Sequence, residues 1–323
     1  MKSTELKRLK DALATLSADE CLDIKKVLRE RENQVVSSVV MKEITDGVDS
    51  CPHCGSKKIA KAGSKDGRKR FKCKNDKTNE DGSLVCGKSF NALTGTPLAR
   101  LRQTEKHIEH AQCMVEKMTI RQVAKKLKID IHTAFRWRHR FLESIQHMQP
   151  SVLTGVVEAD ETFFLRSYKG QRTGIPRPSK KRGMPGCTAG LGPDQVPVLV
   201  ARDRSSGETL TAMLPSRKAK DIAPALLPRL SKDAVLCSDG ASAYRVIGKK
   251  AGIEVKSTPA KKAAGIYHIQ NVNAYDSRLK AWMFGFKGVA SVYLQNYLGW
   301  HRLLDKTSLA LPSKEFYSAA LGK

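Results

Sequence analysis

Residues 156–164 read Val156-Val157-Glu158-Ala159-Asp160-Glu161-Thr162-Phe163-Phe164, an apolar run with three acids inside it. β-Branched and aromatic side chains suit a pleated, half-buried strand. Alternation along such a strand sets Glu158 and Asp160 on one face and Glu161 on the other. Further on, the apolar residues 234–237 end at Ser238-Asp239-Gly240, which places a second carboxylate at the C-terminal mouth of a strand, where open α/β sheets bind ligands. The third element is a helix after His268. Its Asn273, Asp276 and Lys280 share one face at i, i+3 and i+7. Mg²⁺ prefers carboxylate oxygens, and two-metal phosphodiester chemistry needs acids that converge from distant positions.

Working outward, short apolar runs at 152–165, 196–201 and 234–237 alternate with helical stretches near 219–230, 240–251 and 270–284. That alternation predicts a mixed α/β domain over 151–305, followed by a tail at 306–323. Residues 169–186 (KGQRTGIPRPSKKRGMPG) are basic, lack acids and hold enough Gly and Pro to exclude a regular element. Upstream, Met118 begins MTIRQVAKKLKIDIHTAFRWRHRFLESI. Thr119 and Gln122 make a capping box, and Asp130 caps a second helix after a short turn. On that helix Ala134, Phe135, Phe141, Leu142 and Ile145 form a packing face, with Trp137 near it. His132, Arg136 and Arg140 point the other way, with Thr133 beside them. A helix-turn-helix over 101–150 needs that division between packing and groove-facing sides.

Residues 46–100 are rich in Gly, Lys, Asn and Asp and need a staple. Cys51-Pro-His-Cys54 is a knuckle suited to tetrahedral Zn²⁺, and Cys73 and Cys86 can complete a zinc ribbon around an insertion at 74–85. His53 lies between two ligands and would strain the chelate. The basic stretch around Phe71 suits a phosphate backbone. Ahead of this, residues 1–45 predict a helix over 3–16 and a second, capped by Ser17 and Glu20, reaching about Asn33. The remaining cysteines, Cys21, Cys113, Cys187 and Cys237, read as buried small hydrophobes.

The chain has 323 residues, with 58 Lys plus Arg against 32 Asp plus Glu and a net charge of +26. Such a surplus points to a polyanionic partner. Nothing resembles a signal peptide or an apolar span of transmembrane length, so a cytoplasmic protein is expected, nucleoid-associated in a prokaryote.

These motifs in this order resemble the ISXO-type insertion-sequence transposases, related to Merlin elements. The resemblance spans about residues 48–304. It is carried by Cys51-Pro-His-Cys54, Thr94-Gly-Thr-Pro97, the helix-turn-helix, Glu158-Ala-Asp160-Glu-Thr162, Ser238-Asp-Gly240, Asn271-Val-Asn273 with Lys280, and Tyr293-Leu-Gln-Asn-Tyr-Leu-Gly-Trp300. It implies a ribonuclease-H-like core with Asp160, Asp239, Asn273 and Lys280 as the catalytic set. The metals it implies are Mg²⁺ or Mn²⁺ at the carboxylates and structural Zn²⁺ at Cys51, Cys54, Cys73 and Cys86. Its partner is double-stranded DNA, both terminal inverted repeats and target, with no membrane and a homodimer or higher assembly in a synaptic complex. His132, Thr133, Arg136 and Arg140 would contact DNA, as would Lys180, Lys181 and Arg182; Lys256, Lys261 and Lys262 would line its path. The neutral Asn273 departs from a purely acidic set, leaving Asp276 or Glu158 as sources of compensating charge. The alternatives are a zinc-ribbon and helix-turn-helix regulator and a domesticated, inactive transposase.

Overall fold

The computed structural model describes residues 3–65, 67–78, 86–171, 173–176, 192, 194–258, 265–307 and 311–322. Its contacts divide the chain into two compact units, residues 1–116 with 312–321, and residues 117–311 with 322–323.

The first unit opens with helices α1 (Ser3–Leu13) and α2 (Ala18–Asp46). The Ser17–Glu20 capping box forms as the sequence predicts. Helix α2 runs well past Asn33, because nothing between Asn33 and Gly47 breaks it and Val40 and Ile44 find a core. Its earlier turns bury no side chain, so Cys21 is exposed rather than buried. Strands β1 (Ile59–Lys65), β2 (Arg68–Cys73) and β3 (Ser89–Asn91) form an antiparallel sheet in that order. Its small core joins Cys51, Cys73 and Cys86 to Phe71 and Phe90, whose rings stack at 5.7 Å. Phe71 is therefore packing, not a surface contact in a basic patch. Helix α3 (His107–Val115) packs on the C-terminal helix, Ser313–Leu321, in the same unit.

In the second unit, α4 (Ile120–Leu127) and α5 (Ile131–Ile145) flank a turn in which Lys128 adopts φ 51°. The capping box of Thr119 and Gln122 is present, and Asp130 accepts from the His132 and Thr133 amides. A five-stranded sheet follows, built from β4 (Val156–Leu165), β5 (Gln195–Asp203), β6 (Thr209–Met213), β7 (Val235–Ser238) and β8 (Glu254–Ser257). Its order is β6-β5-β4-β7-β8; β5 runs antiparallel to both β6 and β4, while β7 and β8 run parallel to β4. Helices α6 (Ala219–Leu226) and α7 (Ser242–Ala251) cover one face around Val157, Ala159, Leu236 and Tyr244. The other face packs Val196, Val198 and Val200 against α8 (Gln270–Phe284) and α9 (Leu294–Lys306), helices that contribute Val272, Tyr275 and Leu298. The mixed α/β expectation holds, and the C-terminal helix Ser313–Leu321 becomes α10. Strands β6 and β8, short and flanked by polar residues, escaped the apolar pattern. Among the described residues no helix is long and apolar enough to cross a membrane.

Helix α5 packs on α9 within this unit. Trp137, Phe141, Leu142 and Ile145 are buried as predicted, but Phe135 is 38% exposed and meets the Tyr293 ring edge-on at 5.5 Å. Arg138 is buried over the Trp300 ring at 5.2 Å and donates to Tyr297 Oη at 3.3 Å. Close approach of the two helices requires Gly299, where a Cβ would lie 2.6 Å from Gln146 Cα and 2.9 Å from the Ile145 carbonyl oxygen. Backbone cannot yield as a flexible side chain does. We expect Gly299→Ala to destabilise the fold by about 1–3 kcal/mol, the usual scale of overpacking. Thermal denaturation checks this, and an unchanged midpoint would contradict the packing.

Candidate active site and metal centre

Strand β4 sends alternate side chains to opposite layers. Glu161, on the α7 side, accepts from Tyr244 Oη at 2.5 Å and from Arg217 Nε at 3.1 Å. This pairing keeps a buried acid satisfied and, after burial itself, raises the Tyr244 hydroxyl well above its ordinary value. Asp160 faces the opposite layer, half-buried, with Oδ1 accepting from the Glu161 amide at 2.8 Å. Strands β4 and β7 pair in parallel from Val156↔Val235 to Glu158↔Cys237. Continued by two residues, that register sets Asp160 level with Asp239. There Gly240, at φ +96°, turns the chain into α7, and Asp239 Oδ1 accepts from the Ala241 amide at 2.9 Å. Burial pushes the Asp160 carboxyl up to about 6, with the charges of Asp239 and Glu161 adding to the rise while the Glu161 amide and Arg217 oppose it.

Glu158 is fully buried two residues before Asp160. Its Oε1 accepts from Arg204 Nη2 at 2.8 Å, Arg204 Nε at 3.1 Å and Asn271 Nδ2 at 2.7 Å. Its Oε2 accepts from the backbone amides of Asn271 at 2.8 Å and Val272 at 3.1 Å. His268 Nδ1 lies 3.3 Å from Oε1. The carboxylate thus satisfies otherwise orphaned amides in the first turn of α8 and opposes the positive end of its dipole. Both oxygens are engaged by protein donors, so Glu158 fixes the helix and is not a source of spare metal-binding charge.

That clamp sets the position of α8. Asp276, one turn beyond it, is 8% exposed, and its Oδ1 has no hydrogen-bond partner. Burial pushes its carboxyl up to about 7, and the Asp160 charge acts in the same direction; Lys280 and a hydrogen bond from the Thr162 side chain act against both. Asn273, by contrast, is exposed in the first turn, and Lys280 is exposed a turn past Asp276. A cavity of about 750 Å³ begins at Lys280 and is lined also by Phe164, Tyr168, Lys169 and Phe284. Arg204, Arg217 and Tyr244 hold the acids in place, yet no spacing in the sequence connected them to Glu158 or Glu161.

In the first unit the sulfur atoms of Cys51, Cys54, Cys73 and Cys86 all lie within 4.8 Å of one another. The Cys51–Cys86 separation is 3.8 Å and the Cys54–Cys73 separation 3.6 Å. A tetrahedron with Zn–S bonds of about 2.3 Å has sulfur–sulfur edges of about 3.8 Å, so the four cysteines fit structural zinc. Gly55, at φ +71°, makes the knuckle turn, and His53 is exposed. Most of the widened second loop, 79–85, lies outside the described residues.

On α5, His132 and Arg136 are exposed, Thr133 is half-buried, and Arg140 Nε lies 3.7 Å from Glu143 Oε2. Lys180, Lys181 and Arg182 lie outside the described residues, as do Cys187, Lys261 and Lys262; Lys256 Nζ pairs with Glu254 at 2.6 Å.

A family model described as the ISXO2-like transposase domain matches residues 152–300, a span that encloses the five-stranded sheet, Asp160, Asp239 and α8. No curated protein matches the chain. A solved pre-cleavage Mos1 transpososome is similar at 14% identity, covering 66% of this chain and 78% of that chain, with a TM-score of 0.23. A Mos1 transposase paired-end complex with the left transposon end is similar at 13% identity over the same shares, with a TM-score of 0.24. On the family match, the chain carries an ISXO2-like transposase domain and is an enzyme of the polynucleotidyl-transferase class.

Proposed function

We propose that this chain is a DNA transposase that binds the ends of its element, cleaves there and joins the liberated 3′-end to target DNA. The observation that carries this reading is the parallel register of β4 and β7, which sets Asp160 in mid-strand level with Asp239 just past the end of β7, with α8 tied to β4 by Glu158. The strand order, with three antiparallel strands and two parallel ones between helical layers, supports a ribonuclease-H-like core. A pair of Mg²⁺ or Mn²⁺ ions would supply Lewis acidity toward the attacking and leaving oxygens of an in-line displacement. Asp160 and Asp239 would hold them, and the resemblance gives the third position on α8 to Asn273. Lys280, on the rim of the 750 Å³ cavity, would meet a DNA phosphate as a point charge.

DNA recognition falls to the other motifs. His132, Thr133, Arg136 and Arg140 on α5 would face the major groove, and the basic stretch holding Lys180, Lys181 and Arg182 would add phosphate contacts. The four cysteines would form a zinc ribbon around structural Zn²⁺. A dimer or larger assembly would bring two DNA ends together.

Three outcomes follow. Asp160→Asn and Asp239→Asn each lose strand transfer by at least about a thousandfold, the scale of removing one member of a catalytic unit, while still binding DNA that carries the inverted repeats flanking the gene. Gel analysis of nicked and joined products reads this, and transfer at the unaltered rate would sink the proposal. Burial pushes the Asp160 carboxyl up to about 6, so a cation competes with a proton there as the pH falls. Mn²⁺ affinity should therefore weaken as the pH is lowered from 7 to 5, as read by calorimetric titration; a flat profile between 5 and 7 would contradict it. Finally, one zinc per chain is expected by elemental analysis, and Cys51→Ser should lose it along with protease resistance across residues 48–95.

A further inference from the structure

We propose that Asp276 supplies the third carboxylate of the metal site, in the position that the resemblance gives to Asn273. The inference rests on the transposase reading above and on three observations.

The first is register. Glu158 accepts from the amide of Val272, which pins that point of the helix to that point of the strand. Advancing two residues along β4 to Asp160 covers about 6.7 Å. Advancing four along α8 to Asp276 covers about 6 Å. Helix and strand run on in the same direction, Phe164 sharing a cavity lining with Lys280 and Met283 farther along. From the fixed contact, the side chain that comes level with Asp160 is Asp276.

The second is the state of the Asp276 carboxylate, 8% exposed with Oδ1 lacking any hydrogen-bond partner. Buried carboxylate oxygens are normally satisfied. Glu158 and Glu161, on the same sheet, are. A buried carboxylate oxygen without a protein donor is free to take a cation. Asn273 differs on each count, being neutral and exposed in the first turn.

The third is charge. Two divalent ions against Asp160 and Asp239 leave an excess of positive charge in a partly desolvated site, where an added acid counts most. Glu158 cannot serve, since Arg204 and the α8 amides occupy it. Asp276 is the remaining acid on that helix face.

The test is Mn²⁺ binding to the full chain at pH 8, followed by electron paramagnetic resonance of the free ion, with thermal midpoints measured with and without Mn²⁺. Asp276→Asn should weaken binding at least about tenfold and lose the Mn²⁺-induced rise in midpoint, a larger loss than that from Asn273→Ala. Asp276→Glu, which keeps a carboxylate, should bind more tightly than Asp276→Asn. If Asp276→Asn does not fold, Asp276→Ser is measured in its place. Unaltered binding by a folded Asp276→Asn or Asp276→Ser, or a larger loss from Asn273→Ala, overturns the proposal. Asp160→Asn separates the two levels. If it loses Mn²⁺ while Asp276→Asn does not, only the Asp276 assignment fails; if neither loses it, the metal-dependent reading fails as well.

Discussion

The buried carboxylate of Glu158 is the contact on which the site depends. It faces Arg204 from β5's end of the sheet and the first amides of α8 from the helical layer. A fully buried charge is tolerable only when its lone pairs are matched, and here matching them fixes a helix against a strand. Removing one partner of such an arrangement leaves the rest uncompensated, so its geometry is held more tightly than apolar packing alone would hold it. The pay-off is positional, since everything α8 presents to the sheet edge is indexed from that clamp.

Acids on β4 and α8 therefore divide into two kinds. Glu158 and Glu161 are closed by arginine, tyrosine and amide donors. Asp160 and Asp276 are held up in the proton-binding direction, by burial first and then by neighbouring negative charge. A cluster of like charges that the protein leaves partly uncompensated carries stored electrostatic cost, which a divalent cation relieves. The lysine at 280, next along the helix and open to the large cavity, supplies positive charge at the edge of the cluster rather than inside it.

Much of this was legible from sequence because it is local. The run at 156–164 announced a strand, its alternation sorted Glu158 and Asp160 from Glu161, and the capping residues Ser17, Thr119 and Asp130 marked helix starts that the structure bears out. The four-cysteine cluster was equally plain. What escaped was long-range. Arg204 lies 46 positions from Glu158, and Asn271 lies 113, so no spacing could show that Glu158 was spoken for. Helical spacing put Asn273, Asp276 and Lys280 on one face but could not tell which side chain is buried. Phe71 and Phe135 failed in opposite senses, one packed inside a basic stretch and the other left on a helix surface, because burial there is set by partners at Phe90 and Tyr293.

Whether Asp160 and Asp239 hold a divalent metal with the help of α8 is decided by anomalous scattering from crystals of the full chain grown with Mn²⁺. An anomalous peak is expected within about 2.2 Å of carboxylate oxygens from both Asp160 and Asp239, with an α8 oxygen completing the protein ligands. A crystal in which Mn²⁺ binds elsewhere, leaving both carboxylates without metal, would contradict it.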